Sequence, residues 1–557
     1  MDRELSARTL VVGALVGIPI ALGNLYLGLK TGWWDFGTIT ASILGFAILA
    51  SLDRSRSPTA QETTMTQAIA ASVGAMPSAC GFLGALPALG FLGRHYPWWI
   101  IAAWGILMAI LGLAIGAMLR ERLIEKENLP FPTGQATAQV IEAMRASRAD
   151  VSRHTRALVY AALVTMIVVW FRDAKPSWIP DYTALPGVIA GVSLVSLRFG
   201  FAWSPLMFGS GILVGLRLGL SILLGAVIAW GVGGILLVHA GVVHAASYDE
   251  LRDWLVWPGA SLMASASLCD LLFDAPTLVR SLRSLAPGRG GRVAWIAVAA
   301  IGVILLGWRA FGVSPLVGLA ALALSIVLAS VCARAAGQTD SAPFGAAGQM
   351  AQLALMSGTK TAEANIAGAS VSAGDAVHAT MTLYAFRVGS RFGASPRRLI
   401  VGQFAGAIVG AGVAIVGYRL LERAYGIGGG ALPVPPARVW KSVADVVAKG
   451  ISAALPPGAG RWVVIAAVIG VVLAVAERTR LGRILPSAVA MGVAFIMPAN
   501  FAVTTAAGAT LAFILKRRSP EFAERQVPSL AAGVIAGESL MGILVALLIA
   551  TNVLGKG

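Results

Sequence analysis

Charge is what this chain has least of. Only 12% of its 557 residues are Asp, Glu, Lys or Arg, about half the share of an ordinary soluble domain, and the mean hydropathy is +0.79. A water-soluble enzyme is thereby excluded. Cysteine is also scarce. Cys80, Cys269 and Cys332 stand in or beside apolar runs at no metal-ligand spacing, which argues against a disulfide framework or a zinc site and leaves packing as their expected role. A phosphate-cradling loop is missing: Gly209-x-Gly211 followed by Gly215 misses the dinucleotide spacing and lies in an apolar segment, so ATP hydrolysis within the chain is not expected. Enzyme motifs fail too. Ser357-Gly358-Thr359-Lys360 and Lys30-Thr31-Gly32 spell two boxes of the penicillin-binding type, but in the wrong order and without a Ser-Asp-Asn box. His239 and His244 do not share a helix face, and no His-Glu-x-x-His occurs. No catalytic group, cofactor or metal site is expected.

Apolar residues, by contrast, make up 57% of the chain, enough for roughly 16 membrane helices at about 20 residues per crossing. The runs are long and continuous rather than alternating, which excludes a β-barrel. The pattern predicts an all-α, polytopic integral membrane protein of about 14–16 helices, some of them re-entrant or broken. Spanning candidates run from Thr9 to Leu29, Phe36 to Leu52, Pro97 to Leu119, Ala157 to Phe171, Leu218 to His239, Val293 to Trp308, Val313 to Val331, Leu399 to Val416, Trp462 to Val475 and Pro528 to Ile549. The first, with no small-residue cleavage site, reads as an uncleaved helix. A net charge of +17 would suggest nucleic acid if it formed one basic face. Instead the basic residues fall between apolar segments: Arg145, Arg148, Arg153 and Arg156; Arg280, Arg283, Arg289 and Arg292; Arg387, Arg391, Arg397 and Arg398; Arg478, Arg480 and Arg483; Lys516, Arg517 and Arg518. Such loops belong in the cytoplasm by the positive-inside rule.

Two stretches are interrupted: Gln61 to Leu92, with Gly74, Pro77, Gly81, Gly84 and Pro87, and Pro343 to Tyr384, with Gly358, Gly368 and Gly374 among many Ser, Thr and Ala. Broken backbone is tolerated at membrane depth only where protein or a cavity covers it, which makes these stretches the first candidates for a substrate path. They occupy corresponding places in the chain. Leu49-Ala50-Ser51 also recurs as Leu328-Ala329-Ser330, and Pro205 and Gly211 recur as Pro486 and Gly492. Such short matches arise by duplication or by chance in an Ala/Gly/Leu-rich chain. Two related membrane halves, 1–285 and 286–557, are the expected organisation, because transporters recurrently bind at the interface of two repeats.

Eight runs then appear in order: GNLYLGLKTGWW (Gly23 to Trp34), ETTMTQAIAASVG (Glu62 to Gly74), LPFPTGQATAQVI (Leu129 to Ile141), SPLMFGSGILVG (Ser204 to Gly215), NIAGASVSAGDAVHAT (Asn365 to Thr380), GASPRRLIVGQFAG (Gly393 to Gly406), LPSAVAMGVAFIMP (Leu485 to Pro498) and GVIAGESLMG (Gly533 to Gly542). Together they resemble the oligopeptide transporter family, which includes the yellow stripe-like metal-chelate transporters, and the chain looks like a short, bacterial-type member. The resemblance implies proton-coupled uptake of small oligopeptides or peptide-like metal chelates, with protons and the lipid bilayer as partners; the expected location is a bacterial inner (cell) membrane, and a homodimer is one assembly open to a transporter of this size. One departure stands out. Where such proteins often carry an Asp-x-Lys-Thr-Gly run, this chain reads Ala385-Phe386-Arg387-Val388-Gly389, keeping a basic residue and losing the acid.

The residues themselves suggest roles. Glu538, flanked on both sides by apolar and small residues, costs at least ~2.5 kcal/mol if it stands alone in the bilayer. It must be protonated, paired or wet, and is either a proton-coupling site or a hydrogen-bonded packing residue. Lys30, in the same run as Tyr26 and followed by Gly32, can hold a substrate carboxylate or merely anchor a helix end, with Asp35 nearby. Glu62, with Gln67 close by, is a site residue or an ordinary cap in a first helical turn. Gln135, Gln139 and Glu142 share one helical face opposite Val140, Ile141 and Met144, lining a cavity or lying in the interface. Lys360, Glu363, Asn365, Asp375 and His378 sit among small residues, with Lys360 and Glu363 spaced for an ion pair. The expected substrate-binding set is thus Tyr26, Lys30, Glu62, Gln67, Gln135, Gln139, Lys360 and Asn365, and the proton-coupling set is Glu538, Glu363 and Asp375. A membrane-embedded enzyme acting on a lipid or peptide, or a passive channel, is the competing class.

Overall fold

The computed structural model describes residues 4–554 apart from 33, 35, 54–55, 147, 175–176, 244–246, 274–292, 340–341, 343 and 552. Asp35, His244, the basic loop Arg280 to Arg292 and the boundary at 285/286 therefore lie outside the described residues. The chain opens with α1 (Ala7–Thr31), α2 (Thr38–Leu52), α3 (Ala60–Ala79), a short α4 (Ala85–Phe91), α5 (Trp98–Lys126), α6 (Pro132–Ala146) and α7 (Arg148–Asp173). Two small antiparallel pairs follow, β1 (Tyr182–Ala184) with β4 (Gly200–Ala202) and β2 (Val188–Ile189) with β3 (Val192–Ser193). Then come α8 (Pro205–Val214), α9 (Leu216–His239) and α10 (Tyr248–Phe273). A single helix, α11 (Val293–Phe311), leads to α12 (Pro315–Thr339), α13 (Phe344–Ala354), α14 (Ala362–Phe392), α15 (Pro396–Tyr425), α16 (Pro435–Lys449), α17 (Ala459–Glu477), α18 (Ala488–Ala494), α19 (Ala499–Arg518) and α20 (Val527–Ala550).

Among the described residues nine helices are long and apolar enough to span a bilayer, and Thr38–Leu52, Pro205–Val214 and Ile296–Phe311 are shorter apolar helices. The protein is an all-α polytopic membrane protein. Only the break near Gly358 interrupts the second Gly-rich stretch, because Gly368 and Gly374 lie inside the continuous α14. Gly374 is there for close approach: a Cβ on it would stand 2.6 Å from the Ala79 carbonyl.

Contacts between helix ends sort them onto two faces. Glu4 accepts from the Ser395 N–H (2.7 Å), Arg391 pairs with Glu142 (2.8 Å), Arg217 with Glu477 (2.9 Å) and Arg334 with Glu127. The starts of α1, α9 and α15 and the ends of α5, α12, α14 and α17 thus share the N-terminal face. On the far face, Val434 N–H donates to Leu29 O (2.9 Å), Arg94 pairs with Glu363 (2.9 Å) and Arg252 donates to Gly428 O (2.9 Å). Here α1 ends and α5, α10 and α14 begin.

The packing of the helices before α11 recurs among those after it, in opposite directions. α1, α2 and α3 correspond to α12, α13 and α14; α5 and α6 to α15 and α16; α7 to α17; α8, α9 and α10 to α18, α19 and α20. The match extends to single residues. A Cβ on Gly112 of α5 would meet His378 and the Asp375 carbonyl in α14, and one on Gly410 of α15 would meet Met76 and the Val73 carbonyl in α3. Gly225 of α9 lies against the Met491 carbonyl just as Gly508 of α19 lies against that of Phe208. Pro205 opens α8 and Pro486 lies just ahead of α18, but the Gly225 and Gly508 contacts pair Phe208 with Met491, so this short match falls two residues out of register. The other short match is not carried by packing, since Leu49 lies in α2 and Leu328 in α12, whereas α12 corresponds to α1. Among the described residues α11 has no counterpart, and its odd crossing makes the helix sets on either side of it antiparallel.

The N-terminal face also carries a pH-dependent latch. Arg334 (2.8 Å) and then Arg122 (2.6 Å) donate to the Glu127 carboxylate just beyond α5 and hold it down at about 2 against the opposing effect of burial. A depressed carboxylate stabilises the fold above its unfolded value of about 4.3 and loses that contribution as pH falls toward the folded value. Glu127→Gln should therefore melt earlier than the unmodified chain at neutral pH, with the gap closing on acidification. Thermal melts of both at the two pH extremes check this.

Candidate functional site

Three elements distant in sequence bring a charged cluster together inside the membrane-spanning bundle. Lys30, in the last turn of α1, places Nζ 2.9 Å from Glu538 Oε1 in the middle of α20, and Arg172 at the end of α7 places Nη1 3.2 Å from the same oxygen. Glu538 also accepts from the Ser204 hydroxyl (2.9 and 3.0 Å) and from the Leu206 N–H (2.8 Å), which the first turn of α8 leaves without an intrahelical partner. Both Lys30 and Glu538 are buried. Of the three states open to a carboxylate buried among membrane-spanning helices, the structure shows the paired one. Arg172 is shared further with Asp173 (2.6 and 2.9 Å) and the Trp203 carbonyl (2.7 Å). Lys30 Nζ sits 4.6 Å from the centre of the Tyr26 ring, a cation–π contact, and Tyr26 packs on Tyr425. Tyr26, Lys30 and Glu538 are thus one cluster. Sequence reasoning missed its other two members. Arg172 stands just past the end of the Ala157 to Phe171 candidate and drew no notice, and Ser204 was visible as the first residue of one family-like run, without its partner.

Two cavities lie along α14. The first, of about 480 Å³ on the N-terminal face, is lined by Gln135, Ala138, Gln139 and Glu142 of α6 with Arg387, Ser390 and Arg391 of α14. The polar stripe of α6 lines this cavity, and its opposite face buries Ile141 and Met144. The second, of about 110 Å³, lies toward the far face among Ala79, Gly84, Ser370, Gly374, Phe344 and Trp440. Trp440 of α16 fills the space that Gly84 and Gly348 leave open, and its ring lies against both. The counterpart helix α6 carries Thr137 in the matching register and no such plug. The two cavities therefore differ in lining: polar side chains of α6 and α14 on the N-terminal face, small residues with the Phe344 and Trp440 rings toward the far face.

The remaining candidates scatter. Glu62 occupies the third position of α3 and forms a reciprocal capping box with Thr59, while Arg56 grips it at 2.9 and 2.7 Å. Gln67 is fully buried with neither amide atom hydrogen-bonded. Lys360 is exposed ahead of the Thr361 cap, outside the helix. The expected Lys360–Glu363 pair does not form for that reason, and Glu363 instead meets Arg94 (2.9 Å) and the Tyr96 hydroxyl. Asn365 ties the α13–α14 junction, donating to the Gln352 carbonyl (2.8 Å) and Thr359 hydroxyl (3.2 Å). Asp375 is buried in the middle of α14.

Two oppositely directed sets of membrane-spanning helices, with a buried charged cluster and two cavities along one shared helix, are the build of a membrane transporter. The model of the OPT oligopeptide transporter protein family matches residues 4–289 and 290–549, and the chain belongs to that family. It is 24% identical to a putative oligopeptide transporter of Haemophilus influenzae, over 96% of this chain and 94% of the relative. An iron-phytosiderophore transporter of Oryza sativa subsp. japonica is 24% identical over 96% and 90%, and a metal-nicotianamine transporter of Arabidopsis thaliana 22% identical over 97% and 92%.

Proposed function

We propose that this transporter is secondary active and uses a proton gradient to bring small oligopeptides or peptide-like metal chelates into the cytoplasm. The observation that carries the reading is a pair of oppositely directed helix sets whose counterpart positions pack differently, Trp440 of α16 filling the space beside Gly84 and Gly348 where α6 carries Thr137, which is what one state of an alternating-access cycle looks like. The relatives' names supply the substrate class, since both oligopeptides and nicotianamine chelates present carboxylates and amines. Arg387, Arg391, Gln135 and Gln139 are suited to meet such groups at the N-terminal face, with Glu62, Gln67, Lys360 and Asn365 as further candidates. Lys30 stands two residues from Gly32, which lines the smaller cavity. A substrate carboxylate that replaces Glu538 beside Lys30 and Tyr26 would keep the cation paired. Glu538, Glu363 and Asp375 are the carboxylates through which protons can act. Arg391, Arg398, Arg478 and Lys516 lie at helix ends of the N-terminal face, which favours the cytoplasm for that face, in the inner membrane of a bacterium and with a homodimer as one possible assembly.

The test is uptake by the purified protein in liposomes with an imposed pH gradient, offering short peptides and metal–nicotianamine chelates and identifying the accumulated solute by mass spectrometry. Intact solute should concentrate only while the gradient lasts. Equilibration without concentration would make the protein a channel, and a chemically altered product would make it a membrane enzyme.

A further inference from the structure

Four acidic residues among those described are buried. Glu62 faces Arg56, Asp445 faces Lys441 and Lys449, and Glu538 faces Lys30 and Arg172. Asp375 is fully buried, and neither carboxylate oxygen has a hydrogen-bond donor. From α12 it faces the Ser325 hydroxyl, which donates to the Leu322 carbonyl (2.9 Å). From α5, Met108 and Gly112 pack along the same stretch of α14, and from α3 come Met76 and the Ala79 carbonyl. One turn along α14, His378 holds Nε2 3.1 Å from Met76 Sδ, and its Nδ1 is unbonded. Among the described residues, His378 and Cys80 are the titratable groups of this neighbourhood, and no charged side chain acts on Asp375.

The other repeat is an internal control. Val73 stands where Asp375 stands and packs into Gly17 of α1, as Asp375 faces Ser325 of α12; Met76 stands where His378 stands. The architecture is thus satisfied there by apolar contact alone, and an acid at this position is not required by the fold. Met76 and His378, being counterparts in contact, also mark the axis that relates the halves. A group beside that axis is placed to meet either face as the repeats exchange packing, without travelling. Glu538 is poorly suited to the same task, because emptying it of charge strands two buried cations.

We propose that Asp375 is the carboxyl group that carries the coupled proton, held as the neutral acid in this packing and releasing H⁺ to water on the N-terminal face when the repeats rearrange. The step makes and breaks only the carboxyl O–H bond. The inference rests on the proton-coupled reading above.

Infrared spectra of the full chain in liposomes test it, followed across pH and read first without any substitution. A protonated-carboxyl band should persist at neutral pH and be lost in Asp375→Asn and in Asp375→Val, the latter reproducing the apolar packing of the counterpart site. Proton influx on adding iron–nicotianamine or a short-peptide pool, read with a trapped pH dye, should be lost in both variants. A band that survives both substitutions, or proton influx equal to that of the unmodified chain, overturns the assignment alone. If the unmodified chain moves solute with no proton flux, the proton-coupled reading fails and this proposal fails with it.

Discussion

Glu538→Ala should destabilise the folded protein by about 3–5 kcal/mol, the usual consequence of stranding buried opposite charges. Lys30 keeps its contact with the Tyr26 ring but loses its carboxylate, while Arg172 retains Asp173 and the Trp203 carbonyl. The Ser204 hydroxyl and Leu206 N–H lose their acceptor as well. Most of the damage should therefore follow Lys30. Replacing Lys30 and Glu538 together by Met removes both charges and should recover a large part of the loss. The measurement is thermal unfolding in detergent of the two single variants and the double. If the double is as unstable as the sum of the singles, the pair is not coupled and the cluster is not what ties α1 to α20. Glu538→Gln, which keeps an acceptor for Ser204 and Leu206 but leaves Lys30 without its carboxylate, should be destabilised less than Glu538→Ala and should transport more slowly.

The second large effect is expected at Gly348. A Cβ there would overlap the Trp440 ring, so Gly348→Val must expel the indole from the far-face entrance. Relieving the clash costs the filled packing, and each 1.4 kcal/mol shifts the balance between packings about tenfold. A cysteine placed at Ser370, which lines the smaller cavity, should then react faster with a membrane-impermeant maleimide applied from the far face. It should also react more slowly when Gly348 is unchanged than any cysteine at Gln139, applied from the N-terminal face. Equal labelling of Ser370→Cys with and without the Gly348 substitution would show that Trp440 does not close this entrance.

The helical class and every spanning candidate read from hydropathy correspond to helices, because long apolar runs have few alternatives in a bilayer. α10 escaped notice for a physical reason. Its first turns carry Asp249, Glu250, Arg252 and Asp253, and Pro258 interrupts its apolar part. α14 looked broken because Ser, Thr and Gly read as interruption in sequence, yet in the fold they let α3 and α5 approach closely. The local candidates were partly legible. Gln135, Gln139 and Glu142 share a helix face by spacing alone, and they line one cavity. The Lys30–Glu538 contact joins opposite ends of the chain, and no periodicity encodes it. Lys360 and Glu363 show the converse error, since the i, i+3 rule holds only inside a helix and the helix starts between them.

The unmatched helix α11 bears on how such a chain is assembled. Each set of helices on either side of it returns to the face it started from, so a chain lacking α11 would thread its second set in the same sense as the first. Biogenesis then hinges on one hydrophobic segment. Were the insertion machinery to pass over Val293–Phe311, everything after it would be laid into the bilayer upside down. The arginines after α14 and the Lys516–Arg518 triplet at the end of α19 would resist being carried across. Greasiness in one helix and positive charge at several later loops thus encode the same orientation twice, and an error in either leaves the other to correct it.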